Sequence, residues 1–110
     1  MYTYKAIPLY VVDGDTFDFQ VDLGFHTFTR IRVRLKDIDT PEVRGPERPQ
    51  GLIVKDYVKS LFVQYMNNIT IETTKTGSFG RWIADVKING ASLTNTIKEA
   101  FPEYMMEYKR

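Results

Sequence analysis

The first third of the chain is dominated by segments in which apolar residues recur at every second position, the pattern of a strand that buries one face. Two such segments cover residues 16–23 and 27–35, and an apolar and aromatic segment covers residues 4–12. The apolar positions of the two alternating segments are Phe17, Phe19, Val21 and Leu23, then Ile31, Val33 and Leu35. Gly14 and Gly24 lie at the joints, where turns favour glycine. This pattern predicts a meander of three strands.

The remaining chain carries one strong helix signal, followed by strand and turn signals. We expect an amphipathic helix over residues 52–65. Strands follow over 69–73 and 82–88, joined by 74–80, and the chain then turns at Asn89-Gly90. We also expect a short helix over 93–100 capped by Ser92, and a last short turn from Pro102 through Tyr108. Three strands, a helix and two strands is the element order of an OB-fold, a small five-stranded barrel, although other five-stranded arrangements share this order. The expected fold is therefore α+β, mainly β, with one main helix and one or two short C-terminal helices.

Length and composition restrict the class of protein. At 110 residues, with 43% hydrophobic and 26% charged residues, the chain fits one globular domain over residues 1–110. No segment approaches the ~18 apolar residues of a membrane span, and the N-terminus lacks the layout of a secretory signal. We therefore expect a cytoplasmic protein without membrane partners, with secretion after processing as the alternative. We also expect a monomer. The formal net charge of +1 does not by itself indicate nucleic-acid binding.

The chain has no cysteine and a single histidine, His26. Disulfides, thiolate chemistry and multi-histidine metal sites are thereby excluded, so any metal should be a hard cation, calcium or magnesium, held by carboxylates. Asp15 lies at the start of one predicted strand and Asp39 just past the end of the next but one, and a meander could bring both to one rim of the barrel. The alternative is that Asp13-Gly14-Asp15 is only a turn, since Asp and Gly favour turns.

Thr40-Pro41-Glu42 directly follows Asp39. Pro41 prevents continued sheet pairing and keeps an acidic side chain close behind Asp39. Glu42 could act as a general base, and its alternative role is that of a solvated loop acid. Asp37 shares the two-residue parity of Asp39, but we expect it to be solvated.

Two arginines could bind one phosphate. Arg34 lies near the end of the third predicted strand, and Arg81 lies far downstream beside a glycine. The planar guanidinium binds two phosphate oxygens at once and never loses its proton, although for either arginine alone a surface ion pair is the simpler interpretation. By the two-residue period the face of Arg34 also carries Arg30, Arg32 and Lys36, which predicts a basic stripe.

The chain resembles the thermonuclease family, the staphylococcal-nuclease-like domains, in three motifs: Asp13-Gly14-Asp15-Thr16, Arg34 followed five residues on by Asp39-Thr40-Pro41-Glu42, and Gly80-Arg81. The resemblance runs in register from residue 4 to residue 100. It implies an OB-fold barrel and a calcium-dependent, sugar-nonspecific endonuclease. Such a hydrolase cleaves DNA and RNA by attack of water on phosphorus and leaves a 3′-phosphate and a free 5′-hydroxyl.

The resemblance also implies roles for individual residues. Asp15, Asp39 and the backbone carbonyl of Thr40 would hold Ca²⁺, Glu42 would act as general base or orient the water, and Arg34 with Arg81 would stabilise the charged phosphate. The residues assigned to substrate binding are Phe79, Tyr104 and Tyr108 through this resemblance, and Arg30 and Arg32 through their place on the strand face of Arg34. Ser78 and Phe79 replace a Lys-Tyr pair of the best-known members, and Tyr104 or Tyr108 would take the place of a base-stacking tyrosine.

Two other classes of function remain open. A relative that keeps the barrel could be catalytically weak or inactive and bind nucleic acid or protein, and retention of the whole residue set argues against this. A domain of a larger nucleoprotein assembly could also dock a partner through its aromatic C-terminus, residues 101–108. Because three carboxylates crowd one rim, we further expect that Asp15→Asn raises the melting temperature when no metal is bound.

Overall fold

The computed structural model of the protein describes residues 2–76 and 82–104. Its strands are β1 (Tyr2–Asp13), β2 (Thr16–Asp22), β3 (Phe28–Leu35), β4 (Ile69–Thr76), β5 (Trp82–Ile88) and β6 (Ala91–Ser92). Its α-helices are α1 (Arg48–Gln64) and α2 (Leu93–Ala100), and short 3₁₀ helices cover Gly45–Glu47 and Pro102–Tyr104. The predicted order of three strands, a helix, two strands and a short helix is therefore confirmed.

The strands form one sheet in the order β3-β2-β1-β4-β5-β6, and β3 also pairs with β5. The β3–β5 pair is parallel, whereas the other pairs are antiparallel. This pairing closes the first five strands into a mixed barrel, which confirms the predicted OB-like α+β fold. Closure also leaves few unpaired strand edges.

Most element boundaries lie within two residues of the predicted ones, and the larger differences are at α1, β4 and β6. The helix α1 begins at Arg48, four residues earlier than predicted. Pro49 is tolerated in its first turn, because backbone N–H groups there have no hydrogen-bond acceptor within the helix and the N–H that proline lacks is not needed. Strand β4 continues to Thr76, into the predicted connection. The two-residue strand β6 was not predicted, since two residues are too few to show a period.

The inward positions of the strands and of α1 form one core. Phe17 and Phe19 of β2 contact Phe62 of α1 edge to face, with ring centroids 5.1 and 5.6 Å from it. Val54 and Val58 complete the buried stripe of α1. Leu23 was expected on the buried face but is exposed, because β2 ends at Asp22. The main helix therefore covers the barrel through the predicted apolar stripe.

The C-terminal segment packs on α1. The Ser92 side chain accepts a hydrogen bond from the Asn95 backbone N–H at 3.3 Å, which confirms the predicted cap of α2. Phe101 contacts Tyr57 of α1 edge to face, and Tyr104 stacks on Phe101 with ring centroids 5.6 Å apart. Neither helix in the described part of the chain is long and apolar enough to cross a membrane.

Candidate active site

The candidate site lies where β2 begins and β3 ends. Thr16 pairs with Arg34 in the β2–β3 register, and the Leu35 backbone N–H donates to the Asp15 carbonyl at 2.8 Å. The Arg34 side chain lies between two carboxylates: its Nη1 is 2.7 Å from Asp15 Oδ2, and its Nη2 is 3.3 Å from Asp39 Oδ1. Asp15, Arg34 and Asp39, which are distant in sequence, therefore form one cluster.

Asp15 and Arg34 are buried, and their ion pair is supported by further hydrogen bonds. Arg34 Nη1 also donates to the Ile38 carbonyl at 3.1 Å. Asp15 Oδ2 accepts from the Thr40 backbone N–H at 2.9 Å, and Asp15 Oδ1 accepts from the Thr16 hydroxyl at 3.1 Å. A buried ion pair persists only when such bonds offset the loss of hydration. The cluster is therefore linked by several hydrogen bonds, and its carboxylates do not simply repel one another as the sequence suggested.

The Asp13-Gly14-Asp15 segment is both a turn and part of this cluster. The Asp15 N–H donates to Asp13 Oδ1 at 3.1 Å across the turn. Gly14 is needed for space, because a β-carbon there would lie 2.5 Å from Val54 Cγ1 and 2.8 Å from Thr40 Oγ1. The Thr40 hydroxyl is itself buried without a hydrogen-bond partner. The turn therefore packs directly against the segment that follows Asp39.

Asp13 is a site carboxylate to which the sequence-based reasoning gave no role. Burial raises its pKa to about 7, and a side-chain hydrogen bond with Asp15 and the Asp15 charge act in the same direction. Its place as the first aspartate of the Asp-Gly-Asp motif is the sequence feature that could have identified Asp13 as a site residue. The pKa of Asp39 is also raised, mainly by burial and further by the charges of Asp15, Glu47 and Glu42, while the Arg34 charge opposes the shift. Carboxyl groups are thus concentrated at this rim, and burial makes two of them, Asp13 and Asp39, harder to ionise.

Glu42 has an exposed side chain and a tightly held backbone. Its N–H donates to Glu47 Oε1 at 3.0 Å, and Arg48 Nη1 donates to the neighbouring Val43 carbonyl at 2.9 Å. A β-carbon on Gly51 of α1 would overlap the Glu42 carbonyl oxygen and lie 2.5 Å from its carbonyl carbon. No recognisable sequence motif includes Glu47 or Gly51, so neither residue was predicted to belong to the site.

The predicted basic stripe is partly neutralised. Asp18 of β2, a residue the sequence-based reasoning did not consider, forms ion pairs with Arg30 Nη2 at 2.9 Å and Arg32 Nε at 2.7 Å. The hydrogen bond from Arg32, followed by that from Arg30, lowers the pKa of Asp18. Arg34, the third arginine of the row, is buried, so only Arg30 and Arg32 lie on the open surface of the strand.

Other predicted residues lie apart from the cluster or outside the described part of the chain. Tyr104 is half-buried and stacked on Phe101, so one face of its ring is already covered. Asp37 is exposed at the end of β3 with φ +61°, as expected for a solvated turn residue. Arg81, Phe79 and Tyr108 lie outside the described residues.

The donor set is compatible with a hard cation in type and charge. Within residues 2–76 and 82–104, no group of three His, Cys, Asp or Glu side chains is arranged to hold a metal. Asp15 and Asp39 nevertheless present only oxygen atoms, as calcium prefers. The pKa of Asp39 is raised mainly by burial and further by neighbouring carboxylates, and a bound cation would favour its charged form. Asp15 Oδ1 accepts one long hydrogen bond, so it keeps lone-pair capacity for an ion.

The class of protein is defined here by its fold and cluster alone. The chain is a closed, OB-like five-stranded barrel with a buried arginine between two aspartates at one rim. Compared with models of known protein families and with curated protein sequences, the chain matches none. A function must therefore be inferred from the geometry and the motifs.

Proposed function

We propose that the protein is a calcium-dependent nuclease of the thermonuclease type, which hydrolyses phosphodiester bonds of DNA and RNA and leaves 3′-phosphate products. The observation that carries the proposal is the position of Arg34, whose guanidinium lies within 3.3 Å of both Asp15 and Asp39. An arginine, two carboxylates and a nearby exposed glutamate supply the three kinds of group that this hydrolysis needs. They stabilise the phosphate, hold a cation and accept a proton.

Arg34 supports the proposal through its preorganisation. A phosphodiester under attack gains charge on its non-bridging oxygens, and a guanidinium already fixed by Asp15 and the Ile38 carbonyl needs little reorganisation to meet that charge. Its Nη2 is directed toward Asp39, the more exposed of the two aspartates, so a phosphate would approach from that side. Arg81 is proposed as the second phosphate-binding arginine from the sequence motif alone.

Calcium would be held by Asp15, Asp39 and the backbone carbonyl of Thr40. When bound, it would supply positive charge to the phosphate oxygens and lower the pKa of a coordinated water. Glu42 is the proposed base, because its exposed side chain is free to reach a water beside Asp39. Its backbone is held by Glu47 and Gly51, which restricts where the carboxylate can lie.

The test is cleavage of supercoiled plasmid, single-stranded DNA and RNA with calcium and with chelator. We expect cleavage of all three in calcium, none in chelator, weak turnover in magnesium, and 3′-phosphate ends on the products. Arg34→Lys should lose activity, whereas Arg44→Lys, a matched change at an exposed arginine of the following loop, should retain it. If none of the three substrates is cleaved in a chelator-sensitive way, the proposal that the protein is an enzyme is refuted.

The second candidate is a non-catalytic nucleic-acid or protein-binding module. The observation in its favour is that both oxygens of Asp15 already accept hydrogen bonds from the protein, as in a structural ion-pair cluster. Binding of labelled DNA or RNA by a protein that cleaves none of the substrates would select this candidate.

A further inference from the structure

The outer face of β3 carries a row of side chains that leads to Arg34. In the β2–β3 register Phe28, Arg30 and Arg32 pair with Asp22, Gln20 and Asp18. These even-numbered β3 residues lie on the face opposite the buried Val33 and Leu35, at intervals of about 6.7 Å, twice the rise of a strand residue. The row therefore extends the candidate site along the barrel surface.

The two arginines of this row are exposed but held in place. The Arg30 and Arg32 side chains are 63% and 47% exposed, whereas that of Asp18 is 7% exposed. Asp18 accepts one hydrogen bond from Arg30 and two from Arg32. Each guanidinium has five N–H donors, so most of them remain available to a ligand. Because Asp18 orders both side chains beforehand, binding an anion there loses less side-chain entropy.

Aromatic rings flank the arginines on the same face. Phe28 is 51% exposed at the hairpin end of the row, and Tyr10, the register partner of Asp18 on β1, is 54% exposed. The Lys55 ammonium of α1 lies 5.6 Å from the centre of the Tyr10 ring and adds a third cation. The carboxylates of Asp18 and Asp22 offset part of this positive charge. Asp22 lies beside Phe28 at the hairpin end, and its Oδ1 accepts a hydrogen bond from the Gly24 N–H of the turn.

Cations flanked by exposed rings fit a single nucleic-acid strand, because phosphates contact the cations and unpaired bases stack on the rings. A duplex keeps its bases stacked on each other and could use only the charges. We infer that the surface formed by Tyr10, Phe28, Arg30 and Arg32, here called the β3 track, binds single-stranded DNA or RNA that continues from the phosphate at Arg34. The inference deepens the proposed nuclease function and rests on it for the position of that phosphate.

The first experiment measures binding without cleavage, by fluorescence anisotropy of a labelled twelve-nucleotide single strand in chelator. Phe28→Ala should raise the Kd by about fivefold or more, in line with the loss of one base stack. Arg30→Ala and Arg32→Ala should each weaken binding and reduce the salt slope by about 0.7, the value for one phosphate contact on a single strand. Phe25→Ala is the matched control, because Phe25 lies in the turn just before β3, is 99% exposed, and lies outside the track. Thermal melts verify that every variant is folded.

Three outcomes would overturn the β3 track. The first is binding by all three track variants within twofold of the wild type. The second is an equal loss of affinity for a twelve-base-pair duplex, which would indicate a charged patch without stacking. The third is competition by polyglutamate as strong as by the unlabelled strand, which would indicate an acidic protein partner. Since none of these measurements needs turnover, a failure of the nuclease proposal is detected separately in the cleavage assay.

Discussion

Gly51 of α1 lies against the backbone carbonyl of Glu42, nine residues earlier in the chain, with no room for a β-carbon between them. A carbon there would lie 2.5 Å from the Glu42 carbonyl carbon and 2.9 Å from the Val43 nitrogen. Both obstacles are backbone atoms, which cannot rotate away. The first turn of α1 and the segment that carries the proposed base are therefore packed as one unit, and Glu47 and Arg48 add hydrogen bonds to it.

Gly51→Ala should displace Glu42 and destabilise the protein. Overpacking of this kind costs about 1–3 kcal/mol, which urea denaturation would measure. If Glu42 is the base, the rate of cleavage should fall more than the affinity for substrate changes. Glu47→Ala, which removes the hydrogen bond to the Glu42 N–H and also a charge that acts on Asp39, should give a smaller loss of rate. Glu47→Gln, which removes the charge but keeps an acceptor oxygen, is its control. Normal stability of Gly51→Ala would show that this contact can relax.

Arg34→Lys should abolish most activity and also weaken the fold. One ammonium cannot replace the contacts of the guanidinium with Asp15, Asp39 and the Ile38 carbonyl. Loss of one preorganised transition-state donor costs about 10²-fold in rate or more. Initial rates in calcium measure this, with Arg44→Lys as the control. From the sequence motif we expect a similar loss for Arg81→Lys, and a rate within threefold of the wild type would remove Arg81 from the site.

Asp15→Asn should lower the melting temperature in chelator, contrary to the expectation from crowded carboxylates. The structure reverses that expectation, because Asp15 is paired with buried Arg34 at 2.7 Å and accepts two further hydrogen bonds. Removing the charge leaves buried Arg34 with Asp39 as its carboxylate partner, at a cost of about 1–3 kcal/mol. Asp37→Asn is the matched control, since Asp37 is exposed and Asn tolerates its φ of +61°. A higher melting temperature for Asp15→Asn would mean that repulsion dominates after all.

Asp13 should make stability depend on pH. The pKa of Asp13 is raised to about 7 in the folded protein from its ordinary value of 3.8, so between these values the folded state binds more protons than the unfolded state. Stability therefore falls as pH rises through this window, and the cost is fully present above about pH 7. Asp13→Asn should remove it, with a gain of about 1–2 kcal/mol near pH 8 that disappears near pH 4. Urea denaturation in chelator at both pH values, with exposed Asp56→Asn as the control, measures the difference. An equal gain in the free energy of unfolding at both pH values would contradict the assignment of the raised pKa to Asp13.

Much of the barrel could be predicted because its strands and its main helix bury one face each. The period of two places Phe17, Phe19 and Val33 in the core, and the helical period places Val54, Val58 and Phe62 against them. Boundaries were less certain where local signals conflict. The helix was predicted to begin only at Leu52, yet Pro49 and Gly51 both lie in the first turn of α1. Proline is tolerated there, and the glycine is required by its contact with Glu42.

The sequence by itself determined the element order, the buried faces and the kinds of side chain available to a site, because these depend on local periodicity and residue chemistry. The tertiary structure alone decided which charges meet. Arg34 pairs with Asp15, nineteen residues away, and Arg30 and Arg32 pair with Asp18. Such pairs follow from strand register and barrel closure, and a shift of one residue in register would move each of these side chains to the opposite face. A single arginine-rich strand face was therefore divided into a buried cluster and an exposed track.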